Sequence, residues 1–400
     1  MATPRLDGMP RPPLVPPGPE LDARARTRYA RHLLLPGIGE LGQRRLAAAR
    51  VLLVGAGGLG SPAGIYLAAA GVGTLGLVDD DVVDLTNLQR QVLHRVEDVG
   101  RPKVVSGRDG LARVNDGVEV ITHAVRLTPE NALGILADYD VVIDGADNFP
   151  TRALVSQACA RLGLPHVWAS VHRFDAQASV WWAGVGPCYH CVFPSMPAPD
   201  QVPSCAVGGV LGATVGTIGS LLAVEALKLI TGVGEPLVGR LLVHDGLAQS
   251  WAELPVRAEP TCPVCSPTAD PVRPLGTTGF APVEPVEAPV VDAAGATSPR
   301  PEVSVHEVRG LMAHGARLVD VREPGEREVV RIPGAEHIPL AEVLDPTTPF
   351  GDEVVLVHCK SGARSARAVD ALRARGVDAR DVRGGILAWV AEIDPSLPTY

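Results

Sequence analysis

The sequence predicts an α/β protein built from a large doubly wound domain with a mostly parallel sheet and a smaller α/β domain at its C-terminal end. Three observations lead to this prediction. The chain has 400 residues, which exceeds the roughly 100–200 residues of an average domain. Short continuous apolar runs alternate with helical patterns in both halves, as in parallel strands that are covered on both faces. A proline-rich stretch at residues 266–301 separates the halves and predicts an extended linker.

These observations divide the chain into four segments. Residues 1–20 are predicted to form a flexible proline-rich leader, residues 21–265 the first domain, residues 266–301 the linker and residues 302–400 the second domain. The leader lacks the apolar core of a secretory signal, so we expect the protein in the cytoplasm. The formal net charge of −9 argues against a nucleic-acid partner.

One apolar stretch, residues 205–224, has no charged residue and reaches the length of a membrane-spanning helix. Its many glycines and hydroxyl side chains, and its continuation to Glu225 and Lys228, instead favour a buried helix. We therefore expect no membrane contact.

The first domain follows a strand, turn, helix, strand pattern. It is expected to begin with a helical region, residues 21–46, that carries a cluster of arginines. The apolar pattern then predicts strands at residues 51–54, 76–78, 118–122 and 141–143 and helices at residues 62–70 and 129–136.

A glycine-rich turn follows the first strand and opens a helix. Gly55, Gly57, Gly58 and Gly60 fit the pattern G-x-G-x-x-G, in which backbone approaches phosphates at a helix N-terminus. Asp79 ends the next strand, at the place where an acidic side chain binds a ribose. The combination predicts a Rossmann-like nucleotide site and fits NAD and ATP equally well. Glycines needed only for helix packing are the non-functional alternative.

The positively charged residues that follow Asp79 distinguish between NAD and ATP. Arg90 and Lys103 have little use in hydride transfer, whereas they would stabilise the charge that develops when a carboxylate attacks the α-phosphate of ATP. Asp147, which follows the strand at residues 141–143, is a candidate ligand for Mg²⁺. The residues favour adenylate chemistry. An NAD-dependent oxidoreductase with an accessory phosphatase-like domain is the alternative.

Four cysteines have the spacing of a zinc site. Cys188 and Cys191 form one C-x-x-C pair and Cys262 and Cys265 a second, with 71 positions between Cys191 and Cys262. Each pair can occupy adjacent corners of a tetrahedron. Four thiolates leave no open coordination position, so the predicted zinc is structural, and a redox dithiol is the alternative. His190, inside the first pair, is expected at the surface rather than as a further ligand.

The second domain is predicted to carry a reactive cysteine. Strands are expected at residues 318–319 and 354–357 and a helix at residues 365–375. Cys359 lies at the turn into that helix, where the helix dipole and inward-pointing amides favour a thiolate or persulfide. Four residues separate Cys359 from Arg364, one fewer than in the loop of cysteine phosphatases, and the smaller loop suits sulfur better than phosphate. An ordinary buried cysteine is the alternative, and it is the interpretation that we prefer for Cys159.

Several segments together resemble the MoeB/ThiF family, the prokaryotic relatives of ubiquitin-activating enzymes. The matching segments are residues 28–31, 55–60, 77–79 and 87–91, with Lys103 and residues 147–148. The resemblance implies that ATP and Mg²⁺ bind at a site formed by Gly58, Asp79, Asp81, Thr86, Asn87, Gln89, Arg90, Lys103, Asp147 and Asn148. Thr86 stands where the family commonly has serine. Arg31 resembles the arginine that reaches the triphosphate of the neighbouring subunit, which implies a homodimer. The family also carries zinc at the positions of the four paired cysteines.

The second domain resembles the rhodanese family over residues 302–395. The resemblance rests on residues 320–324, 331–335, 337–339 and 358–364 and on Gly384, Gly385 and Trp389. It implies that Cys359 accepts sulfane sulfur, with thiosulfate or a cysteine desulfurase as the donor and Arg364 in the same loop. His337 is expected to be a hydrogen-bonded structural histidine.

Together the two resemblances imply a two-step reaction on a ubiquitin-like sulfur carrier protein that ends in Gly-Gly. The carrier would be adenylated by ATP and then converted by the Cys359 persulfide to a thiocarboxylate, for molybdenum cofactor, thiamin, cysteine or another sulfur-containing metabolite. Cys205 is the candidate for the cysteine that bonds the activated carrier. The alternatives are a ubiquitin-style activator that forms a thioester at Cys205 and a non-catalytic scaffold for carriers.

Overall fold

The structure is a computed structural model that describes residues 12–195, 209–269, 275 and 300–398. The chain divides into two compact units, with the boundary at residues 283 and 284, and each unit is described by itself. Cys205 and most of the predicted linker lie outside the described residues.

The first unit contains an eight-stranded sheet. Its strands are β1 (Arg50–Val54), β2 (Thr74–Val78), β3 (Glu119–His123), β4 (Val141–Asp144), β5 (His166–His172), β6 (Asp175–Trp181), β7 (Arg240–Asp245) and β8 (Ser250–Pro255). They lie in the order β3-β2-β1-β4-β5-β6-β7-β8. The neighbours in β3-β2-β1-β4-β5 pair in parallel, and the neighbours in β5-β6-β7-β8 pair antiparallel. The mostly parallel sheet is confirmed, and its antiparallel extension was not predicted.

Helices flank this sheet. They are α1 (Ala23–Arg28), α2 (Ala30–Leu33), α3 (Gly39–Ala48), α4 (Gly60–Ala70), α5 (Lys103–Val114), α6 (Ala132–Leu136), α7 (Phe149–Leu162), α8 (Tyr189–Val192) and α9 (Gly212–Thr231). The helical region expected at residues 21–46 is divided into α1, α2 and α3. Tyr29 lies at the break between α1 and α2, and its ring packs against Gly71. A Cβ on Gly71 would lie only 2.4 Å from this ring. Gly71 ends α4 in the left-handed conformation, so a side chain there would meet both strain and Tyr29.

Residues 12–20 differ from the predicted flexible leader, because they are paired with the first unit. Val15 is buried, and the amide of Leu14 donates to the carbonyl of Leu229 in α9 at 3.0 Å. Gly18 donates to the carbonyl of Arg44 in α3 at 3.1 Å, and the Arg44 guanidinium donates back to Gly18 at 2.8 Å. These residues therefore belong to the domain from residue 12 onward.

Helix α9 is the apolar helix that the sequence places inside the fold. Among the described residues it is the helix that is long and apolar enough to span a membrane, with a mean hydropathy of 1.5, and 56% of its apolar window is buried in the protein. It packs on α4 and β5. Buried Glu225 accepts a hydrogen bond from the amide of Leu237 at 2.8 Å and pairs with Lys228 at 2.5 Å. The helix is thus a buried core element, as predicted.

The second unit is a five-stranded parallel sheet in the order β11-β10-β12-β13-β9. Its strands are β9 (Glu302–Val303), β10 (Arg317–Asp320), β11 (Glu336–His337), β12 (Val355–His358) and β13 (Ala379–Val382). Its helices are α10 (Val305–Ala313), α11 (Pro324–Val329), α12 (Leu340–Leu344), α13 (Ala363–Ala374) and α14 (Gly385–Glu392). One core packs around Leu356 and Trp389 and a second around Val357 and Val369, which confirms the smaller α/β domain.

Candidate active sites

A cavity of about 650 Å³ opens at the carboxyl ends of β1, β2 and β4. In the sheet, β2 lies on one side of β1 and β4 lies on the other. Doubly wound folds bind their ligands at the carboxyl ends of the strands where the strand order reverses in this way. Its walls include most of the residues that the sequence assigns to the nucleotide, namely Gly55, Gly57, Gly58, Asp79, Asp81, Arg90, Lys103, Asp147 and Asn148. The fold therefore brings them together at one site.

The glycine turn between β1 and α4 is closely packed at two positions. Gly55 has a φ of +91°, and a Cβ on it would lie 3.2 Å from the carbonyl oxygen of Gly145. A Cβ on Gly60 would lie 1.9 Å from the carbonyl oxygen of Gly55. Gly60 thus serves the close start of α4 and is not one of the described residues that line the cavity, whereas Gly57 and Gly58 are.

Lys103 and two aspartates form the charged part of the cavity. The Lys103 ammonium is 2.8 Å from the Asp81 carboxylate, and its residue is only 7% exposed. Asp79 accepts hydrogen bonds from the amides of Ala56 and Asp81, both at 2.9 Å. Burial raises the pKa of Asp79, and the positive charge of Lys103 opposes that rise. The arrangement presents one buried cation and hydrogen-bond acceptors to a ligand.

Arg90 is held by a short 3₁₀ helix at Leu85–Asn87. The Asp84 side chain begins this turn by accepting a hydrogen bond from the amide of Thr86 at 2.8 Å. The Arg90 guanidinium donates to the carbonyl of Thr86 at 3.0 Å, and Arg90 lines the cavity. The remaining predicted binding residues of this segment are not among the described residues of the wall, namely Thr86, Asn87 and Gln89.

The loop from β4 to α7 supplies the third wall. The Asp144 carboxylate accepts a hydrogen bond from the amide of Ala146, and the Asn148 side chain accepts one from the amide of Thr151, both at 2.9 Å. Asp147 stands exposed between them. Arg152, which was not predicted as a site residue, is buried and donates to the carbonyl of Ala146 at 3.0 Å. This contact forms only in the folded loop, so no local pattern in the sequence predicts it.

Arg31 is placed outside the cavity of its own chain. It lies exposed in α2 and is not among the described residues of the wall. The neighbouring Leu34 and Leu35 are also exposed, at 73% and 47%. This segment therefore presents a cation and apolar side chains to the outside of the unit.

The four paired cysteines meet at one point. The Cys188 sulfur is 3.8 Å from that of Cys191 and 3.6 Å from that of Cys262, and the Cys191 and Cys265 sulfurs are 3.3 Å apart. All four sulfurs lie within 4.8 Å of one another, and the cysteines are free thiols. A ZnS₄ tetrahedron with Zn–S bonds of about 2.3 Å has edges of about 3.8 Å. The cluster therefore fits a structural zinc ion.

His190 lies inside the fold, so the prediction of a surface side chain is wrong. It is 3% exposed, and its ring nitrogens lie 3.4 Å from the Ser156 hydroxyl and 3.3 Å from the Gln157 side-chain amide. Burial lowers the pKa of His190 to about 4. The ring packs against α7 because α8, which carries His190, is pressed onto that helix. His190 is not a member of the cysteine cluster.

Cys359 lies at the carboxyl end of β12, the central strand of the second unit. Its residue is 1% exposed, and its sulfur accepts hydrogen bonds from the amide of Gly362 at 3.2 Å and from the Ser365 hydroxyl at 3.4 Å. The loop leans on α14, where the amide of Ile386 donates to the carbonyl of Cys359 at 2.9 Å. A Cβ on Gly385 would lie 2.4 Å from that carbonyl. One backbone amide and one hydroxyl thus face the sulfur, and the hydroxyl of Ser365 was not predicted.

Arg364 pairs with a carboxylate that was not predicted as part of the site. Its guanidinium makes two hydrogen bonds to Glu326, at 2.6 and 2.8 Å. Glu326 is buried and also caps α11 by accepting a hydrogen bond from the amide of Glu323. The capping spacing, with Glu326 three positions after Glu323, was the available signal.

A buried ion pair includes Asp320, which lies beside His358, the residue before Cys359. Arg322 donates to Asp320 at 2.8 and 2.6 Å, and both side chains are fully buried. His337 bonds to the carbonyl of Arg322 at 2.7 Å, which confirms the structural histidine. Cys159 is 1% exposed in the core, also as predicted.

Comparison with known families decides the assignment of the first unit. The profile of the ThiF family matches residues 29–264. The chain belongs to the ThiF family. The profile of the rhodanese-like domain matches residues 304–392, so this ThiF-family chain carries a second, sulfurtransferase type of domain.

Curated relatives share both domains. A protein of Mycobacterium tuberculosis, named probable adenylyltransferase/sulfurtransferase MoeZ, is 42% identical over 97% of this chain and 99% of its own length. A protein of Bos taurus, named adenylyltransferase and sulfurtransferase MOCS3, is 40% identical over 96% of this chain and 90% of its own length. The chain is thus an enzyme that combines an adenylyltransferase domain of the ThiF family with a rhodanese-type sulfurtransferase domain.

Solved structures confirm the fold of the ThiF part. E. coli MccB with a MccA variant covers 60% of this chain and 74% of its own, with 23% identity and a TM-score of 0.55. E. coli MccB with ATP covers the same shares with 24% identity and a TM-score of 0.54. At this identity the likeness concerns the fold.

Proposed function

We propose that this ThiF-family chain adenylates the C-terminal glycine of ubiquitin-like sulfur carrier proteins and then transfers sulfur to it from a persulfide on Cys359. The observation that supports this most is that one chain carries both a cavity with a buried lysine beside a glycine turn and a cysteine held by two hydrogen-bond donors. Neither site alone accounts for the other. The family assignment also favours adenylation over the hydride-transfer alternative.

In the first step, the carrier carboxylate attacks the α-phosphorus of ATP. The bond from this phosphorus to the bridging oxygen breaks, and pyrophosphate leaves. Arg90 and Lys103 line the cavity where negative charge would grow on the phosphoryl oxygens. Asp147, exposed at the same wall, would hold Mg²⁺, which neutralises phosphate charge when bound. The glycine turn leaves room for the phosphates at the N-terminus of α4.

In the second step, the outer sulfur of the Cys359 persulfide attacks the acyl carbon and displaces AMP. The product is an acyl disulfide between the carrier and Cys359. A second thiol then attacks the Cys359 sulfur, so the carrier leaves as a thiocarboxylate and a disulfide forms on the enzyme. Cys205 is our candidate for this thiol, and an external dithiol would return the resulting disulfide to two thiols. Thiosulfate or a desulfurase persulfide would recharge Cys359.

We also propose that the enzyme is a homodimer. The exposed cation Arg31 and the exposed Leu34 and Leu35 support this, because Arg31 does not reach the cavity of its own chain. In the dimer, Arg31 would approach the triphosphate held by the partner subunit. The cysteine cluster would hold zinc as a cross-link within each subunit.

Carrier-dependent exchange of pyrophosphate into ATP tests the proposal, with mass spectrometry of the carrier as a second readout. Several purified carriers that end in Gly-Gly are compared on wild type, Arg90→Ala and Cys359→Ala. We expect Arg90→Ala to lose exchange and Cys359→Ala to keep exchange but give no thiocarboxylate. Absence of exchange with every carrier would refute adenylation. A carrier thioester at Cys205 in the Cys359→Ala enzyme would instead identify a ubiquitin-style activator.

A further inference from the structure

A buried histidine lies directly beneath the glycine turn of the cavity. His94 is 6% exposed, and its Nε2 atom is 2.9 Å from the carbonyl oxygen of Ala56. Its Nδ1 atom is 2.8 Å from the hydroxyl of Ser106. Both ring nitrogens are therefore engaged, one with the glycine turn and the other with α5.

The contact with Ala56 fixes the proton on one nitrogen. A carbonyl oxygen only accepts hydrogen bonds, so the Nε2 atom of His94 must carry a proton and donate it. The Ser61 hydroxyl donates to the same oxygen at 3.3 Å. Burial also lowers the pKa of His94, which favours the neutral ring. The oxygen of Ala56 is thus held on the protein side of the turn by two donors.

Holding this oxygen orients the next amide. In a trans peptide, the carbonyl of one residue and the N–H of the next point in opposite directions. The Ala56 carbonyl points down to His94, so the Gly57 N–H points to the other side of the turn, and Gly57 lines the cavity. The Ala56 N–H is fixed separately, because it donates to Asp79 at 2.9 Å.

The other nitrogen of His94 connects the turn to a second part of the site. Ser106 lies in the first turn of α5, and this helix begins at Lys103, the buried cation of the cavity. The imidazole ring of His94 therefore connects the glycine turn with α5, the helix that carries Lys103. Lys103 itself contacts Asp81 at 2.8 Å rather than His94.

We propose that His94 is a positioning residue that holds the Ala56–Gly57 peptide so that the Gly57 N–H donates to the phosphates of ATP. This rests on the proposed adenylation function. His94 is not among the described residues that line the cavity, so it would act through the Ala56 carbonyl. Its loss should weaken ATP binding and leave the chemical step little changed, because the Gly57 contact would exist in both the bound state and the transition state.

Two amide substitutions separate the roles of the ring nitrogens. The amide nitrogen of Gln reaches the place of Nε2, whereas that of Asn reaches the place of Nδ1. We expect His94→Gln to bind ATP nearly as wild type does. His94→Asn should raise Kd and KM for ATP about tenfold, the effect of one lost hydrogen bond, with kcat retained. Binding is measured by calorimetry on the full chain without carrier.

A matched histidine serves as the control. His244 is also buried, at 3%, and its Nδ1 bonds to the carbonyl of Ser250 at 3.2 Å in the β7–β8 hairpin. The same pair of substitutions at His244 should change the unfolding temperature and leave the affinity for ATP unchanged. Equal ATP affinities of the two His94 variants, whether both are strong or both are weak, would overturn the proposal.

Nitrogen NMR of the imidazoles in the wild-type chain gives a test that needs no variant. The proposal requires a proton on Nε2 of His94, and an Nε2 without a proton overturns it even if both variants fail to fold. If wild type binds no ATP, the proposed function fails. The NMR result then still decides whether the histidine holds the Ala56 carbonyl.

Discussion

Lys103 is the buried cation of the cavity, next to the place where the proposed adenylation step develops phosphate charge. Its ammonium is buried and has Asp81 as a neighbour at 2.8 Å. We expect Lys103→Ala to slow carrier-dependent pyrophosphate exchange by about 100-fold, because a fixed cation next to the developing phosphate charge is lost. Arg108→Ala removes an exposed cation from the same helix and should leave the exchange rate intact. Equal losses in the two variants would contradict this role of Lys103.

We expect His358, next to Cys359, to make the stability of the second unit depend on pH. Burial lowers the pKa of His358 to about 4, despite the nearby Asp320 carboxylate. In the unfolded chain the same histidine binds a proton below about pH 6.5. Between about pH 4 and about pH 6.5 the unfolded state therefore binds more protons than the folded state. As the pH drops through this range, the free energy of unfolding falls by about 3 kcal/mol.

The measurement for His358 is the unfolding free energy of β10 and β12 from urea-dependent hydrogen exchange of the full chain, at pH 7 and pH 5. His358→Gln should reduce the loss of stability between the two values. His314→Gln replaces an exposed histidine of the same unit and should leave the loss as in wild type. An unchanged pH dependence in His358→Gln would exclude His358 as the cause.

Among the elements, the two C-x-x-C segments join distant parts of the first unit. We expect Cys262→Ser to remove about one zinc ion per chain and to lower the melting temperature, because three thiolates hold zinc less tightly and the cross-link is lost. Zinc is measured by mass spectrometry of the purified protein. Cys159→Ala, a buried cysteine outside the cluster, should lower the melting temperature with zinc content unchanged.

The start of α14 shapes the Cys359 loop. A Cβ on Gly385 would come within 2.4 Å of the Cys359 carbonyl and 2.7 Å of the Lys360 carbonyl. Gly385→Ala should therefore displace the loop and abolish sulfur transfer from thiosulfate to cyanide. Gly376→Ala also introduces a side chain at a positive φ, but its Cβ has nothing within 4 Å. That control should lose stability and keep the transfer rate.

Elements with a strong local pattern were predictable, and those that depend on distant contacts were not. Strand β4 begins with three consecutive apolar residues and is completely buried, so its sequence alone predicts it. Strand β8 is exposed along its whole length, so it lacks the apolar pattern of a covered strand. The break between α1 and α2 lies at Tyr29, whose ring packs against Gly71, a residue distant in sequence. Glycine turns and cysteine spacings are visible in the sequence, whereas the contacts of His94 with Ala56 and of Glu326 with Arg364 form only when separate elements meet.

For the whole molecule, the proposed reaction depends on two sites that are joined by one chain. A tether raises the effective concentration of Cys359 near the adenylate, typically to the millimolar range. We expect sulfur transfer in the full chain to be independent of enzyme concentration in single turnovers. With separate fragments 12–269 and 300–400, the rate at micromolar concentrations should be much lower and rise with the concentration of the second fragment. Equal rates would show that the covalent connection is dispensable.

The cysteine cluster also sets an order of events during synthesis of the chain. Its first pair leaves the ribosome 71 positions before the second, which is about 4–14 s at ordinary elongation rates of 5–20 residues per second. During that interval, Cys188 and Cys191 lack the partners with which they form the cluster. With the proposed zinc, the cross-link in the first unit would close only after the second pair has been synthesised, and both thiols of the first pair would have to stay reduced until then.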